Sequence, residues 1–301
     1  MKIMFGLRIP AFPIDGSSGN DFVAQIVRFI DELKNDFTSA WVCDHFIPGA
    51  NFVPKNTPNL EGFTIVAYLS GLFQDLMFGH IVLCNSYRNP ALLAKMTATL
   101  QVLSNGRYIL GIGAGWKIDE YIAYGYPFPP PRVRIGQLEE AVQIIRRMWT
   151  EESVSFRGKY YHIDNAICSP KPKPVPLIMI GGGGEKLMLK VVAKYADWWN
   201  IPNVSVETYI HKLNVLKKHC RRVGRNYDEI VKTLASIVAI AETEKKARRL
   251  AYKNPFIDMR REERYIIGDP EIVIEKILKY VEIGVKVFIL RFADFPQTNG
   301  A

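Results

Sequence analysis

Cysteine is scarce in this chain and scattered. Its four residues, Cys43, Cys84, Cys168 and Cys220, stand far apart in a sequence of 301. That spacing excludes the close pairs of a zinc site and argues against a disulfide framework. The five histidines (45, 80, 162, 211 and 219) form no ligand pair either, so no metal is expected. No apolar run reaches the ~18 residues that a membrane span requires. Met1 to Pro10 lacks the apolar core and small-residue cleavage site of a signal peptide. The expectation is a reducing, cytoplasmic setting with no membrane partner. Internal repeats and low-complexity segments are absent too. So are G-x-S-x-G, the P-loop and the dinucleotide fingerprint G-x-G-x-x-G.

What is present is apolar material, charge and punctuation. Hydrophobic residues make up 48%, enough to bury a large core. The net charge is +9. Much of it sits in clusters such as Lys217-Lys218, Arg221-Arg222-Arg225 and Lys245-Lys246-Arg248-Arg249. These read as solvated helix faces, with attraction of an anionic small molecule as the alternative. No aromatic residues interleave with them, so no nucleic-acid partner is expected.

Strand and helix patterns alternate along the chain. Strands are predicted at Ile3–Ile9, Ser39–Cys43, Phe78–Cys84, Arg107–Gly113, Leu177–Ile180, Asp197–Ile201, Thr233–Ala241 and Val285–Phe292. Several are near-continuous apolar runs, as parallel strands buried on both faces are. Helices are predicted at Asp21–Leu33, Phe63–Phe73, Gly136–Trp149, Thr208–Val223 and Glu242–Tyr252, with others after Asn89-Pro90, the glycine run and Asp269-Pro270. Asn89 and Asp269 are cap residues, each followed by a proline suited to the first turn. Val154–Ile163 alternates and reads as an inserted β-hairpin, and Lys253–Ile267 is ambiguous. Eight strand–helix units at this length predict one (β/α)8 TIM barrel over residues 1–301, with the hairpin near 154–163 outside it.

In such barrels chemistry gathers at the C-terminal ends of the strands. Asp44-His45 follows the second strand. A carboxylate beside an imidazole can bind hydroxyls and move protons. The competing reading is a loop-capping aspartate and a packed histidine. The fourth strand runs into "GIGAGWKIDEY", Gly111 to Tyr121. The fifth ends in four glycines, Gly181 to Gly184, followed by a helix-like segment. That run reads either as a phosphate seat at a helix start or as a tight β–α connection. Glycine, aromatic and amide residues dominate these strand ends, which suits a flat cofactor that carries the chemistry itself.

The chain resembles the bacterial luciferase-like family of flavin- and deazaflavin-dependent oxidoreductases. The matching stretches are "WVCDHF", "NPALLAK", "LSNGRYILGIGAGW", "IMIGGGGEKLMLKVVAKYADWWN" and "GDPEIVIEKILKYVEIGVKVFILRF", in family order over most of residues 1–292. The resemblance implies a luciferase-like barrel with insertions, usually a homodimer. It would bind coenzyme F-420, a deazaflavin, or alternatively FMN, together with a small organic substrate. The "GAGW…EY" form looks like the deazaflavin-using branch. Carried over by motif, Asp44 and His45 would sit near the ring, with Ile81-Val82 as a bulge or cis peptide behind it. Gly113, Ala114, Gly115, Trp116, Asp119 and Glu120 would line ring and tail, and Gly181, Gly182, Gly183 and Gly184 would hold the phosphate. Some deazaflavin dehydrogenases place a glutamate where this chain has Trp116. That leaves His45 or Glu120 as the catalytic acid/base, or a reaction needing no enzymic acid. The function so implied is hydride transfer between F-420 and an organic substrate. An FMNH2-dependent monooxygenase and a non-catalytic flavin-binding protein are the alternatives. A pocket sealed by the 127–132 loop would favour the last.

Overall fold

The strand segments pair side by side until the last returns to the first. The structure, a computed structural model, describes residues 3–50 and 52–298. The chain runs β1 (Met4–Ile9), α1 (Gly19–Leu33), β2 (Ser39–Val42), α2 (Gly62–Leu72), β3 (Met77–His80) and β4 (Leu83–Cys84). It continues with α3 (Pro90–Leu103), β5 (Tyr108–Gly113), α4 (Ile118–Ala123), α5 (Pro131–Thr150), β6 (Val154–Arg157) and β7 (His162–Ala166). Next come β8 (Leu177–Gly181), α6 (Met188–Tyr195), β9 (Trp198–Pro202), α7 (Val206–Val223) and β10 (Val231–Ile240). It closes with α8 (Glu244–Lys253), β11 (Ile266–Gly268), α9 (Pro270–Glu282) and β12 (Val285–Phe292). Strands β1, β2, β3, β5, β8, β9, β10 and β12 form a closed parallel ring, because β12 pairs with both β10 and β1. This is the (β/α)8 barrel. Strands β6 and β7 form a separate antiparallel pair, and β11 extends the sheet along the upper end of β10.

Local chemistry sets the boundaries. Ser18 caps α1 by accepting from the Asp21 N–H, and Asp269 caps α9 through Ile272. Asn89 accepts from Ala91 and Leu92, and Pro90 occupies the first turn of α3. The two faces of each strand then separate two cores. Outward residues such as Leu7, Val42, Phe78, Leu110, Ile180 and Leu290 meet the helices. Inward residues Trp41, Ile109, Met179, Trp198, Ala235, Val287 and Ile289 fill the barrel. A barrel plugged this way leaves only its mouth for a ligand.

The long third strand is interrupted at Ile81-Val82, whose peptide bond is cis, one of the two forms the resemblance implied there, and it resumes as β4. At three other places the structure departs from the sequence reading or completes it. Helix α5 starts at Pro131 rather than Gly136, because a proline suits the first turn and does not delay it. The ambiguous 253–267 segment holds 3₁₀ turns over Met259–Arg264, followed by β11. The glycine run does not open a helix: α6 begins at Met188. Glu185 is held by α7 instead, its carboxylate accepting from Lys212 at 2.6 Å and its carbonyl from His219 at 2.7 Å.

Candidate active site

A cavity of about 450 Å³ opens at the C-terminal mouth of the barrel. That is within the usual size of a cofactor pocket. Its floor is made by Ile81 and Val82, with Gly113 of β5 and Gly181 of β8 on either side. A Cβ at Gly113 would lie 2.8 Å from Val82 Cγ2, and one at Gly181 would lie 2.9 Å from Val82 Cγ1. The bare backbone there lets the Val82 side chain sit between two strands. Ala114, Gly115 and Trp116 continue the wall. Gly115 has φ +75°, and any side chain on it would collide with the Tyr121 hydroxyl, so only glycine serves.

His45, which follows β2, also lines the cavity. Its Nδ1 lies 2.9 Å and 3.1 Å from the two Glu120 oxygens, across 75 residues of sequence. The Glu120 carboxylate is buried and also accepts from the Phe46 N–H at 3.0 Å, the Ile47 N–H at 3.3 Å and the Tyr87 hydroxyl at 3.0 Å. An anion so surrounded fixes the ring with Nδ1 as the donor and leaves Nε2 for a ligand. Burial works against the charged imidazole, but the Glu120 hydrogen bond and the nearby Cys43 and Asp44 outweigh it, so the His45 pKa is raised. The Trp116 ring meets His45 edge-on, with centroids 5.7 Å apart.

Three of the expected site residues have partners of their own. Glu120, expected as a catalytic acid/base, lines the cavity but is 1% exposed, and each of its hydrogen-bond partners is a protein group, His45 Nδ1 among them. Asp44 borders the cavity, but its carboxylate faces Arg88, accepting 2.8 Å and 2.9 Å bonds in a bidentate pair, and the Cys84 N–H at 2.8 Å. Its side chain has no exposed surface, so it holds the start of the third loop rather than a cofactor hydroxyl. Asp119 lies outside the cavity and is paired with Lys117 at 2.6 Å and with Lys55 at 3.5 Å. Of the glycine run only Gly181 and Gly182 reach the cavity. Gly182 has φ +135° and spends its N–H on the Asn200 carbonyl at 3.0 Å, while a side chain on Gly183 would strike Ile201. Tight β–α geometry therefore accounts for Gly182 and Gly183, and the seat of dipole and amides expected there is not formed by a helix start.

Sequence reasoning passed over Arg8, Cys43, Tyr87 and Asn200, all of which line the cavity. The signal for Arg8 was legible: it occupies the inward register of a strand, two residues beyond Gly6. Tyr87 follows a strand end and Asn200 lies within β9, but nothing local shows which way they turn. Among the described residues no group of three or more His, Cys, Asp or Glu side chains could hold a metal, and no helix is long and apolar enough to cross a membrane. The 127–132 loop does not line the cavity: Phe128 is held between Arg134, 3.9 Å from its ring centre, and Tyr121.

Residues 4–264 match the family model described as luciferase-like monooxygenase. The chain is 37% identical over 178 residues to an F420-dependent glucose-6-phosphate dehydrogenase of Amycolatopsis mediterranei, covering 58% of this chain and 50% of that one. It thus spans about half the length of this curated relative. It is 27% identical over 242 residues to an FMNH(2)-dependent dimethylsulfone monooxygenase of Pseudomonas fluorescens, covering 69% and 66%. In three dimensions it superposes on an F420-dependent secondary alcohol dehydrogenase solved with an F420–acetone adduct, at a TM-score of 0.83 and 20% identity, over 97% of this chain and 94% of that one. That likeness is one of fold.

Proposed function

Because the chain belongs to the luciferase-like monooxygenase family, we propose that it is an oxidoreductase moving hydride between coenzyme F-420 and an organic substrate. The observation that carries this reading is the His45–Glu120 pair facing an apolar cavity floored by Val82 and glycine. A flat group fits that floor, since Gly113 and Gly181 present no side chain to it. When bound, the deazaflavin supplies the carbon that gives or takes the hydride. The rest falls to the chain. Ile81, Val82, Gly113 and Ala114 support the ring, and Trp116 with Gly181 and Gly182 borders it. His45 holds a proton at Nε2 for the substrate oxygen, and Glu120 orients the ring that carries it. Catalysis is then largely orientation in a pocket that excludes water. Asp119, Gly183 and Gly184 have no contact role in this reading. The protein works as a cytoplasmic homodimer on a small-molecule substrate.

Titration of the purified protein with F-420 and with FMN, followed by absorbance, tests the cofactor. Binding of F-420 near one per chain, with FMN excluded, is the expected result. The FMN reading is the second one, favoured by the FMNH(2)-dependent relative, and binding of FMN alone would replace the first. Light scattering on the same sample tests the homodimer.

A further inference from the structure

A second cavity of about 160 Å³ adjoins the first and shares Arg8, Cys43, His45 and Trp116 with it. Two arginines meet there. Strands β1 and β12 are neighbours in parallel register, with Leu7 opposite Leu290. The next residue on each strand is an arginine, Arg8 and Arg291, so two like charges stand side by side at the barrel mouth. Alternation explains their direction: Gly6 and Ile289, two residues earlier, point into the barrel, and so do these.

Like charges on adjacent strands are unfavourable unless something offsets them. Among the described residues no carboxylate forms an ion pair with either arginine. Arg8 donates from Nη2 to the Cys43 thiol at 3.3 Å. Arg291 lies over the Phe256 ring, 3.8 Å from Cζ to the ring centre, which fixes the guanidinium without neutralising it. Burial, with Arg8 beside it, pushes the Arg291 pKa down to about 9. The Cys43 pKa is lowered although burial opposes this, because Arg8 and His45 favour the thiolate. Both shifts share one cause, the positive charge that Arg8, Arg291 and His45 gather in this cavity, and such a site favours an anion. The volume corresponds to roughly five waters at about 30 Å³ each, enough for one carboxylate or phosphate group.

We infer that Arg8 and Arg291 form the seat for an oxyanion, a carboxylate or a phosphate, borne by the substrate. As a substrate site it rests on the reading above; as an anion site it does not. The planar guanidinium pair offers the forked donors that such groups accept. The adjoining His45 places that anion next to the proton donor, so the substrate is an acid or phosphate ester held by its charged end.

Cys43 is a built-in reporter, being partly exposed in the same cavity while the other three cysteines are buried. Its alkylation by iodoacetamide in the cofactor-free protein is followed by peptide mass spectrometry, with inorganic phosphate or acetate added. Either anion at millimolar concentration slows the reaction by about tenfold, and Arg291→Leu abolishes the protection while Arg291→Lys keeps part of it. Protection by phosphate alone or acetate alone identifies the group. A second measurement needs no variant: anionic iodoacetate, whose carbon the thiolate takes as iodide leaves, is compared with neutral iodoacetamide. Its relative rate at Cys43 exceeds that at glutathione by about tenfold or more. The inference is overturned by a ratio no greater than glutathione's, by no protection from either anion, or by equal protection in a folded Arg291→Leu protein. If that variant does not fold, the reagent ratio decides. F-420 titration of the same sample separates the two proposals. Bound cofactor without anion protection sinks only this one, and protection without F-420 or FMN binding sinks only the other.

Discussion

Between β3 and β8 the barrel mouth is floored by Ile81, Val82, Gly113 and Gly181, apolar side chains and bare backbone. Between β12 and β2 it carries Arg291, Arg8, Cys43 and His45. The first half is shaped by steric exclusion, with glycines placed where a Cβ would meet Val82. The second is shaped by charge, with an imidazole locked by a buried carboxylate and two arginines that, among the described residues, form no ion pair with a carboxylate. A flat ring can rest on the first, while proton transfer and recognition of charge belong to the second. Substitutions should therefore separate into those that alter cofactor binding and those that alter rate or substrate preference.

Removing the support of the charged half should cost most. Glu120→Ala leaves the His45 ring, two backbone N–H groups and the Tyr87 hydroxyl without their acceptor. Loss of a buried charged partner costs on the order of 3–5 kcal/mol, and a denaturant titration should show it. Glu120→Gln should recover much of that stability yet shift the pH–rate profile, because only the carboxylate favours the charged imidazole. An unshifted profile would reduce Glu120 to a purely structural role. His45→Ala should leave F-420 binding within about tenfold and lower turnover by roughly 10²–10⁴. Equal loss of binding and rate would place His45 in the cofactor half and break the division.

In the apolar half, Gly113→Val should weaken F-420 binding by more than tenfold, about 1.4 kcal/mol, through contact with Val82 and occupation of the floor. Gly183→Ala should instead lower the melting temperature through its clash with Ile201, with binding per folded molecule unchanged. The reverse pattern would return the phosphate to the glycine run.

Two histidines sharpen the contrast by pH. His45, its pKa raised on folding, adds stability that is complete below the unfolded value of 6.5 and fades as pH rises through the folded one. His80 is sealed in the barrel wall between the Tyr108 hydroxyl and the Gly62 carbonyl. Burial pushes it down to about 4, so its contribution is complete above 6.5 and is lost as pH falls towards 4. Melting curves across this range should show His45→Gln flattening the alkaline limb and His80→Gln the acid limb. At Asp119, Asp119→Ala takes the carboxylate from Lys117, whose side chain is 5% exposed, so it should lower the melting temperature while leaving F-420 binding per folded molecule unchanged. A large loss of F-420 binding in that variant would restore the cofactor contact that the sequence motif implied.

The sequence by itself determined the ring of strands and helices. Apolar runs, the Asn89 and Asp269 caps and the prolines after them are local signals, written within a few residues of the structure they specify. It also placed Asp44, His45 and Gly113–Trp116 at the mouth, since strand ends are readable from strand patterns. The direction of each side chain there was not readable. Asp44 turned to Arg88 and His45 to Glu120 because those partners, 44 and 75 residues away, reach the mouth from the turn before α3 and from α4. Asp119, one residue from Glu120, was captured by lysines instead. The glycine run looked like a helix start, but the side chains of α7 hold Glu185 and delay α6 to Met188. Closure of the barrel made the largest difference. It set Arg8 of the first strand beside Arg291 of the last, and residues separated by nearly the whole chain share a charge environment only once the ring is shut.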